Sequence, residues 1–391
     1  MPGSSRRPPG LVILPMFSSR LHWNLEPNPL SKLLAAKRAA GIEILDLTES
    51  NPTNARLSLP AREIVAALAD VRALRYEPTP AGLEWARNAV SGYYGGRVEA
   101  ARILLTASTS EAYAYLFKLL TDPGDEILTQ RPSYPLFEFL AGMELVKPVP
   151  YSLDLHDLGR QASSRARAMI VVNPNNPTGA FIKREQLARV VEFCRERNLA
   201  IISDEVFADY TFGESATRVP TLVDVNEVLT FSLSGLSKVA GLPQMKLGWI
   251  VVSGPPELRH AAIDRLELIT DTYLSVSTPV QWAAPKLLKA GREIQRQIRY
   301  RTGENLGELR RLLGNSSPFR LLEPEGGWYA VLRAPWIRTE EQWVIELLEQ
   351  ENVLVQPGFF YDFEEEAYLV LSLLTPEDVF AEGVRRLLTR V

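Results

Sequence analysis

At 391 residues, 46% hydrophobic and 23% charged, the chain has the composition of an ordinary folded protein and is long enough for two cores. A formal charge of −4, with acids and bases interspersed, excludes the broad basic footprint of a non-specific nucleic-acid binder. One cysteine, Cys194, excludes an internal disulfide framework and fits a reducing, cytoplasmic setting; the three scattered histidines lack any HExxH spacing, so no metal site is expected, and no apolar run is long enough for a bilayer.

The opening MPGSSRRPPG, with Arg6 and Arg7, runs into LVILPMF, which Pro15 interrupts. It reads as a disordered tail over 1–15 leading into an ordered arm over 16–50; the alternative is a targeting segment. SKLLAAKRAAG at 31–41 predicts a helix stopped by Gly41, and IEILDLTES a strand. AREIVAALAD and GLEWARNAVSGYYGG predict helices. ARILLTA, DEILTQRP, ELVKPVPY, RAMIVVNP, LAIISDEV and VLTFSLS then predict strands, with helices such as TSEAYAYLFKLL, YPLFEFLAGM and REQLARVVEFCRERN between them. Cys194 falls inside the last of these helices, where a structural thiol is the expected reading. Apolar strands alternating with helices give an α/β fold whose sheet is covered on both faces and whose ligands sit beyond the carboxyl ends of the strands.

After about residue 276 the pattern changes to a long helix over most of 279–313, followed by WYAVLRA, TEEQWVIELLEQE, NVLVQPG, AYLVLSLL and a closing helix. A large domain over 51–278 and a C-terminal small domain over 279–391, with the arm joining the latter, are therefore expected.

Polar clusters follow the strands. Ser108, Thr109 and Ser110 stand where a strand turns into a helix, a place suited to a phosphate, although Ser108 capping toward Glu111 is an equally local explanation. NPNNPTGA contributes Asn173, Asn176, Pro177, Thr178 and Gly179 as a turn. Asp204 ends an apolar strand, where a carboxylate is costly without a partner. Lys238 sits among small residues in SLSGLSKVAGLP, with Lys246 eight positions later.

The order NNPTG, DEV, SxSxxSK and GLP resembles the class I/II aminotransferase family, fold type I pyridoxal-phosphate enzymes, over nearly the whole chain. That resemblance implies a mostly parallel seven-stranded sheet flanked by helices, a smaller α+β domain and pyridoxal 5'-phosphate as cofactor. It implies that Lys238 forms the Schiff base and shuttles a proton, that Asp204 pairs with the pyridine nitrogen, and that Asn176 donates to the ring hydroxyl oxygen. Tyr134 matches the ring-stacking aromatic, and Thr109 and Ser110 the phosphate turn, with Ser108, Ser237 and Lys246 beside it. Tyr76 resembles the tyrosine that reaches the neighbouring subunit's phosphate, implying a homodimer, and Asn51 a residue of the substrate loop.

The chain also departs from the family pattern. Phe207 stands where a tyrosine is usual, Lys246 where an arginine grips phosphate, and Gly235 where a serine precedes the lysine, leaving Ser234 as a substitute hydroxyl. Val370, two before Ser372, occupies the place of the arginine that holds the substrate α-carboxylate. Arg20 and Arg333 are the candidates for a relocated clamp; the alternative is that both are solvated surface arginines. The expected activity is amino transfer between an amino acid or amine and a 2-oxo acid. The alternatives are elimination, cyclisation or racemisation on the same cofactor, and a non-catalytic relative, against which the retained Lys238, Asp204 and Asn176 argue.

Overall fold

The computed structural model describes residues 16–21 and 23–390; the tail expected over 1–15 lies outside them. Seven strands form the larger sheet in the order Ile103–Thr106, Gly248–Ser253, Thr230–Gly235, Ala200–Asp204, Ala166–Val172, Glu126–Arg131, Lys147–Ser152. All run parallel except Gly248–Ser253, which pairs antiparallel with both neighbours. Most of these strands are buried at nearly every position, because helices such as Thr109–Leu120 and Arg184–Arg197 cover the sheet and leave no solvated face for polar residues to occupy.

Two strands were not resolved by chain-order pattern alone: Gly248–Ser253, which follows the lysine-bearing turn directly, and the short Arg320–Leu322. The segment IEILDLTES is a strand for only two residues, Leu45–Asp46, since its sole partner is the equally short Val353–Leu354. Its neighbour Leu47 is fully buried in the core beneath the smaller, four-stranded antiparallel sheet, ordered Gln356–Pro357, Tyr368–Ser372, Tyr329–Arg333, Arg320–Leu322.

The arm divides. Trp23 packs on Phe139 with ring centroids 5.0 Å apart, against the helix Leu136–Met143, whereas the helix Pro29–Ala39 is tied to Glu340–Glu351 through Lys37, which donates to the Glu349 carbonyl at 2.7 Å.

The helix Thr278–Leu313 joins the two cores. Leu287, Ile294 and Ile298 enter the core beside the large sheet, and Leu306, Leu309 and Leu313 enter the core of the small one. It packs tightly on the lysine-bearing turn at Gly291, where a Cβ would lie 2.3 Å from that of Ala240, two residues after Lys238. Gly291→Ala is therefore expected to lower stability by about 1–3 kcal/mol through overpacking, read as a lower urea midpoint. An unchanged midpoint would mean that the helix is not held against this turn.

Candidate active site

The parallel register brings the ends of five strands to one edge of the sheet. Ser108 follows the first, Tyr134 the strand ending at Arg131, Asn176 the strand ending at Val172, Asp204 ends its own, and Lys238 follows Gly235. The antiparallel strand Gly248–Ser253 starts at this same edge, which is why Lys246, just before it, arrives beside residues so distant in sequence.

Asp204 is 7% exposed. Its Oδ2 accepts from the Tyr113 hydroxyl at 3.0 Å and its Oδ1 from the Val206 N–H at 3.3 Å. Burial pushes its carboxyl up to about 6, against the pull of these two donors and of Lys238. Lys238 lies in the one-turn helix Leu236–Val239, its Nζ 4.7 Å from the Trp328 ring centroid and 5.5 Å from that of Phe207. Burial pushes its amine down to about 8. The Tyr210 hydroxyl donates to the Lys238 carbonyl at 2.6 Å, fixing the backbone under the amine. Among the described residues neither Asp204 nor Lys238 forms an ion pair, so a buried carboxylate and a half-buried amine face one space without touching.

At the other end of the edge, Ser108 caps the helix Thr109–Leu120 by accepting from the Glu111 N–H at 3.1 Å, so its capping role is real. The hydroxyls of Thr109 and Ser110 make no hydrogen bond among the described residues, and the first-turn N–H groups of a helix have no internal acceptor. Small residues close the gap: a Cβ on Gly235 would meet the Leu247 carbonyl oxygen at 3.0 Å, and one on Gly248 would meet Thr106 Oγ1 at 3.0 Å. Gly235 thus stands where a side chain would press on the neighbouring strand, leaving little room for a serine. Ser234 is buried and its hydroxyl is without a partner. Ser237 is half-buried; Lys246 is exposed, in a left-handed conformation at φ 51°, and forms no ion pair among the described residues.

Asn176 is buried, and its side-chain oxygen has no protein partner, whereas Asn173 is consumed structurally, donating to the Val219 carbonyl and accepting from Ile182 N–H. Burial pushes the Tyr134 phenol up to about 12, and the neighbouring Tyr329 and Asp204 add to the rise. Asn51 is turned inward on its own loop, accepting from Thr53 N–H at 3.0 Å and Thr53 Oγ1 at 2.8 Å. Tyr76 is 73% exposed and lines a crevice with Leu274 and Ser275. The two arginines lie elsewhere than beside Lys238. Arg20 donates to the Met143 carbonyl at 3.3 Å, and Arg333 pairs with Glu365 at 3.2 Å.

Residues 42–386 match the family model described as aminotransferase class I and II. The chain belongs to that family. Relatives of this aminotransferase include the glutamate-pyruvate aminotransferase AlaA of Haemophilus influenzae, 25% identical with 92% of this chain and 93% of the relative covered. The alanine aminotransferase of Mycobacterium bovis is 27% identical, with 92% and 88% covered. In fold, an alanine aminotransferase from Pyrococcus furiosus superposes with a TM-score of 0.81 at 23% identity, covering 95% of this chain and 98% of that one. The chain is accordingly a pyridoxal-phosphate-dependent aminotransferase, moving an amino group between an amino acid or amine and a 2-oxo acid. Among the described residues no helix is long and apolar enough to cross a membrane, and no cluster of His, Cys, Asp or Glu could hold a metal.

The donor set of this class I/II aminotransferase fits pyridoxal phosphate. The orphaned Asn176 oxygen, the unpaired Asp204 and Lys238, and the open hydroxyls at the start of Thr109–Leu120 are all groups that lack what a pyridine ring, an aldehyde and a phosphate would offer. Sequence reasoning did not single out Tyr113, Tyr210, Trp328, Tyr329 or Tyr361. Only Tyr113 had a local signal, the helical spacing that puts it one turn into TSEAYAY; the others come from loops and strands that meet only in the fold.

Proposed function

We propose that Lys238 and Asp204 carry the amino transfer, with the cofactor held between them. The observation on which this rests is their placement on adjoining strand ends, Asp204 buried and Lys238 half-buried, with no ion pair between them. A lysine amine with its pKa brought down to about 8 keeps a substantial neutral fraction near physiological pH, so it accepts and returns a proton at the substrate carbon. Asp204, ionised once a cation faces it, keeps the pyridine nitrogen protonated, and Tyr113 orients the carboxylate. When bound, the cofactor supplies an electron sink for the substrate's Cα.

In the same reading, Asn176 meets the ring oxygen, Tyr134 stacks on the ring, and Ser108, Thr109, Ser110 and Ser237 surround the phosphate, with Lys246 completing its charge. Phe207 offers the ring oxygen no donor, so Asn176 acts there alone. Arg20 and Arg333, engaged by the Met143 carbonyl and by Glu365, enter this reading only as the alternative carboxylate clamp, and Asn51 as a residue of the substrate loop. The catalytic edge, 51–278, makes one domain and 279–391 with part of the arm the other, and the enzyme works in the cytoplasm.

Exposed Val65, Val71, Leu74 and Tyr76, with Leu268 and Tyr273 on the helix Pro256–Tyr273, support a homodimer in which Tyr76 reaches the partner's phosphate. Sedimentation at micromolar concentration is expected to give twice the chain mass; a monomer that retains full activity would end the dimer reading.

The test of function is direct. The reconstituted protein, given L-alanine or L-glutamate with pyruvate or 2-oxoglutarate, should form the matching amino and oxo acids in equal amounts. Ammonia release without a new amino acid would point to elimination instead. Lys246→Ala is expected to weaken cofactor retention about 10–100-fold, as for a charged hydrogen bond, measured by equilibrium dialysis. Unchanged retention would remove Lys246 from the phosphate site.

A further inference from the structure

Amino acids and 2-oxo acids both bring carboxylates to this site, yet the small-sheet wall around Val370 is uncharged. Cross-strand pairing places Tyr329 beside Ser372, and Val331 between Leu322 and Val370, with Gln356 on the far side of Val370. Residues paired across neighbouring strands share a face, about 5 Å apart. Val370, 1% exposed, packs with Val331 and Tyr361 in one small cluster. This face looks into the catalytic edge: the Tyr329 ring lies 6.3 Å from both Tyr361 and Phe207, and Phe207 adjoins Lys238. The backbone closes the same gap, since Ser133 N–H donates to the Tyr361 carbonyl at 2.9 Å.

Three arginines border this wall, Arg131, Arg333 and Arg320, and the first two are engaged. Arg131 is bound to Asp362 through Nε at 2.7 Å and Nη2 at 2.8 Å, and to Glu364 at 3.2 Å. Arg333, two residues beyond Val331 on the same face, holds Glu365. Arg320, cross-strand to Arg333 at the exposed end of the face, forms no ion pair among the described residues, and around Val370 itself the face is neutral. The Tyr361 hydroxyl donates to Gln356 Oε1, which fixes the amide so that its NH₂ points away from that bond. That nitrogen has no protein partner among the described residues and is not among the buried unpartnered atoms, so it is open to the cleft or to solvent.

We propose that Gln356, oriented by Tyr361, is the residue that reads the carboxyl end of the substrate, so that this aminotransferase recognises that end through neutral hydrogen bonds across Val370 and not through an ion pair. The proposal rests on the site reading above. A neutral donor distinguishes poorly between a carboxylate and a carboxamide, because both present a carbonyl oxygen of similar geometry. A guanidinium distinguishes them strongly, having charge and a planar fork matched to two oxygens. The substrate range is therefore expected to include amino acid amides and amines carrying a carbonyl at this distance, alongside amino acids.

The test uses the holoenzyme and two inert probes, 3-phenylpropionate and 3-phenylpropionamide, whose rings suit the aromatic cleft. Calorimetry should give dissociation constants within about tenfold of each other, little changed by salt. L-alanine and L-alaninamide should likewise serve as donors with comparable kcat/KM. Gln356→Leu is expected to weaken both probes about tenfold, as loss of a hydrogen bond would, with the cofactor spectrum and melting temperature held. Gln356→Glu should reject the carboxylate and keep the amide, a reversal that a merely structural role for Gln356 would not produce.

A preference for the carboxylate above about a hundredfold, steep salt dependence, or probe binding indifferent to both Gln356 variants would overturn the proposal. Expected probe selectivity together with absence of amino transfer from every donor would instead overturn the assignment of Lys238 and Asp204, leaving the recognition by Gln356 in place.

Discussion

Lys238→Ala is expected to abolish amino transfer, lowering kcat/KM by about four orders of magnitude, the upper range for removing a positioned acid–base group. Alanine leaves the fold intact, because the Tyr210 hydroxyl bonds the backbone carbonyl of residue 238 and not its side chain. It also opens a space between the Phe207 and Trp328 rings where the amine had been. Two measurements separate loss of chemistry from loss of binding. Borohydride reduction and peptide mapping should attach cofactor to the Lys238 peptide in the native enzyme and to no peptide in the variant. Small primary amines supplied in solution should restore part of the rate, since they fit the vacated space. Turnover at the native level in the variant would end the assignment of Lys238.

Asp204→Asn is expected to lower kcat/KM by about 10²–10⁴, the span for losing a preorganised charge in a buried site, while making the cofactor-free protein more stable. The sign follows from burial. The folded pKa of Asp204, about 6, exceeds its ordinary 3.8, so the folded state binds the extra proton between those values. Stability of the cofactor-free chain therefore falls as pH rises from about 4 to 6, by an amount on the order of 3 kcal/mol. Asparagine removes that loss: its oxygen serves the Val206 N–H and its amide donates to the Tyr113 oxygen. Lys238 acts oppositely, its folded value near 8 lying below 10.5, so stability returns as pH rises between them. Urea titrations of the cofactor-free forms at pH 5 and 7 test this, and an asparagine variant less stable than the native chain at pH 7 would contradict it.

The strand-end edge proposed to hold the cofactor was legible in the sequence because each of its residues ends or follows its own strand. Ser108, Asn176, Asp204 and Lys238 each stand at a break in a run of buried apolar residues, and strand direction alone brings such breaks together. The wall proposed to face the substrate was not legible. Val370 in the sequence marks only an absence, and its meaning depends on Gln356 and Tyr361, which reach it through antiparallel pairing and a one-turn helix. Trp328 is hidden for the same reason: its place beside Lys238 is fixed by contacts with Phe207 and Tyr210, whose rings lie 5.2 and 5.1 Å away across distant segments. Arg20 and Arg333 could be named as cations, but pattern gave no hint that a carbonyl and a carboxylate already occupied them.

The two-residue strand Leu45–Asp46 depends on partners that are synthesised much later than itself. Its partners are Val353–Leu354; the Leu47 carbonyl accepts from Ser372 N–H at 2.7 Å, and Leu47 itself is buried against Gly383. During translation this early segment emerges more than 300 residues ahead of the strands that receive it. Until residues 368–388 leave the ribosome, Leu47 has nowhere to be buried, and the region must wait exposed while the larger sheet forms behind it. Ribosome-bound chains halted at residue 360 should thus be cut by protease near residue 47, and chains halted well beyond residue 391 by a linker should not.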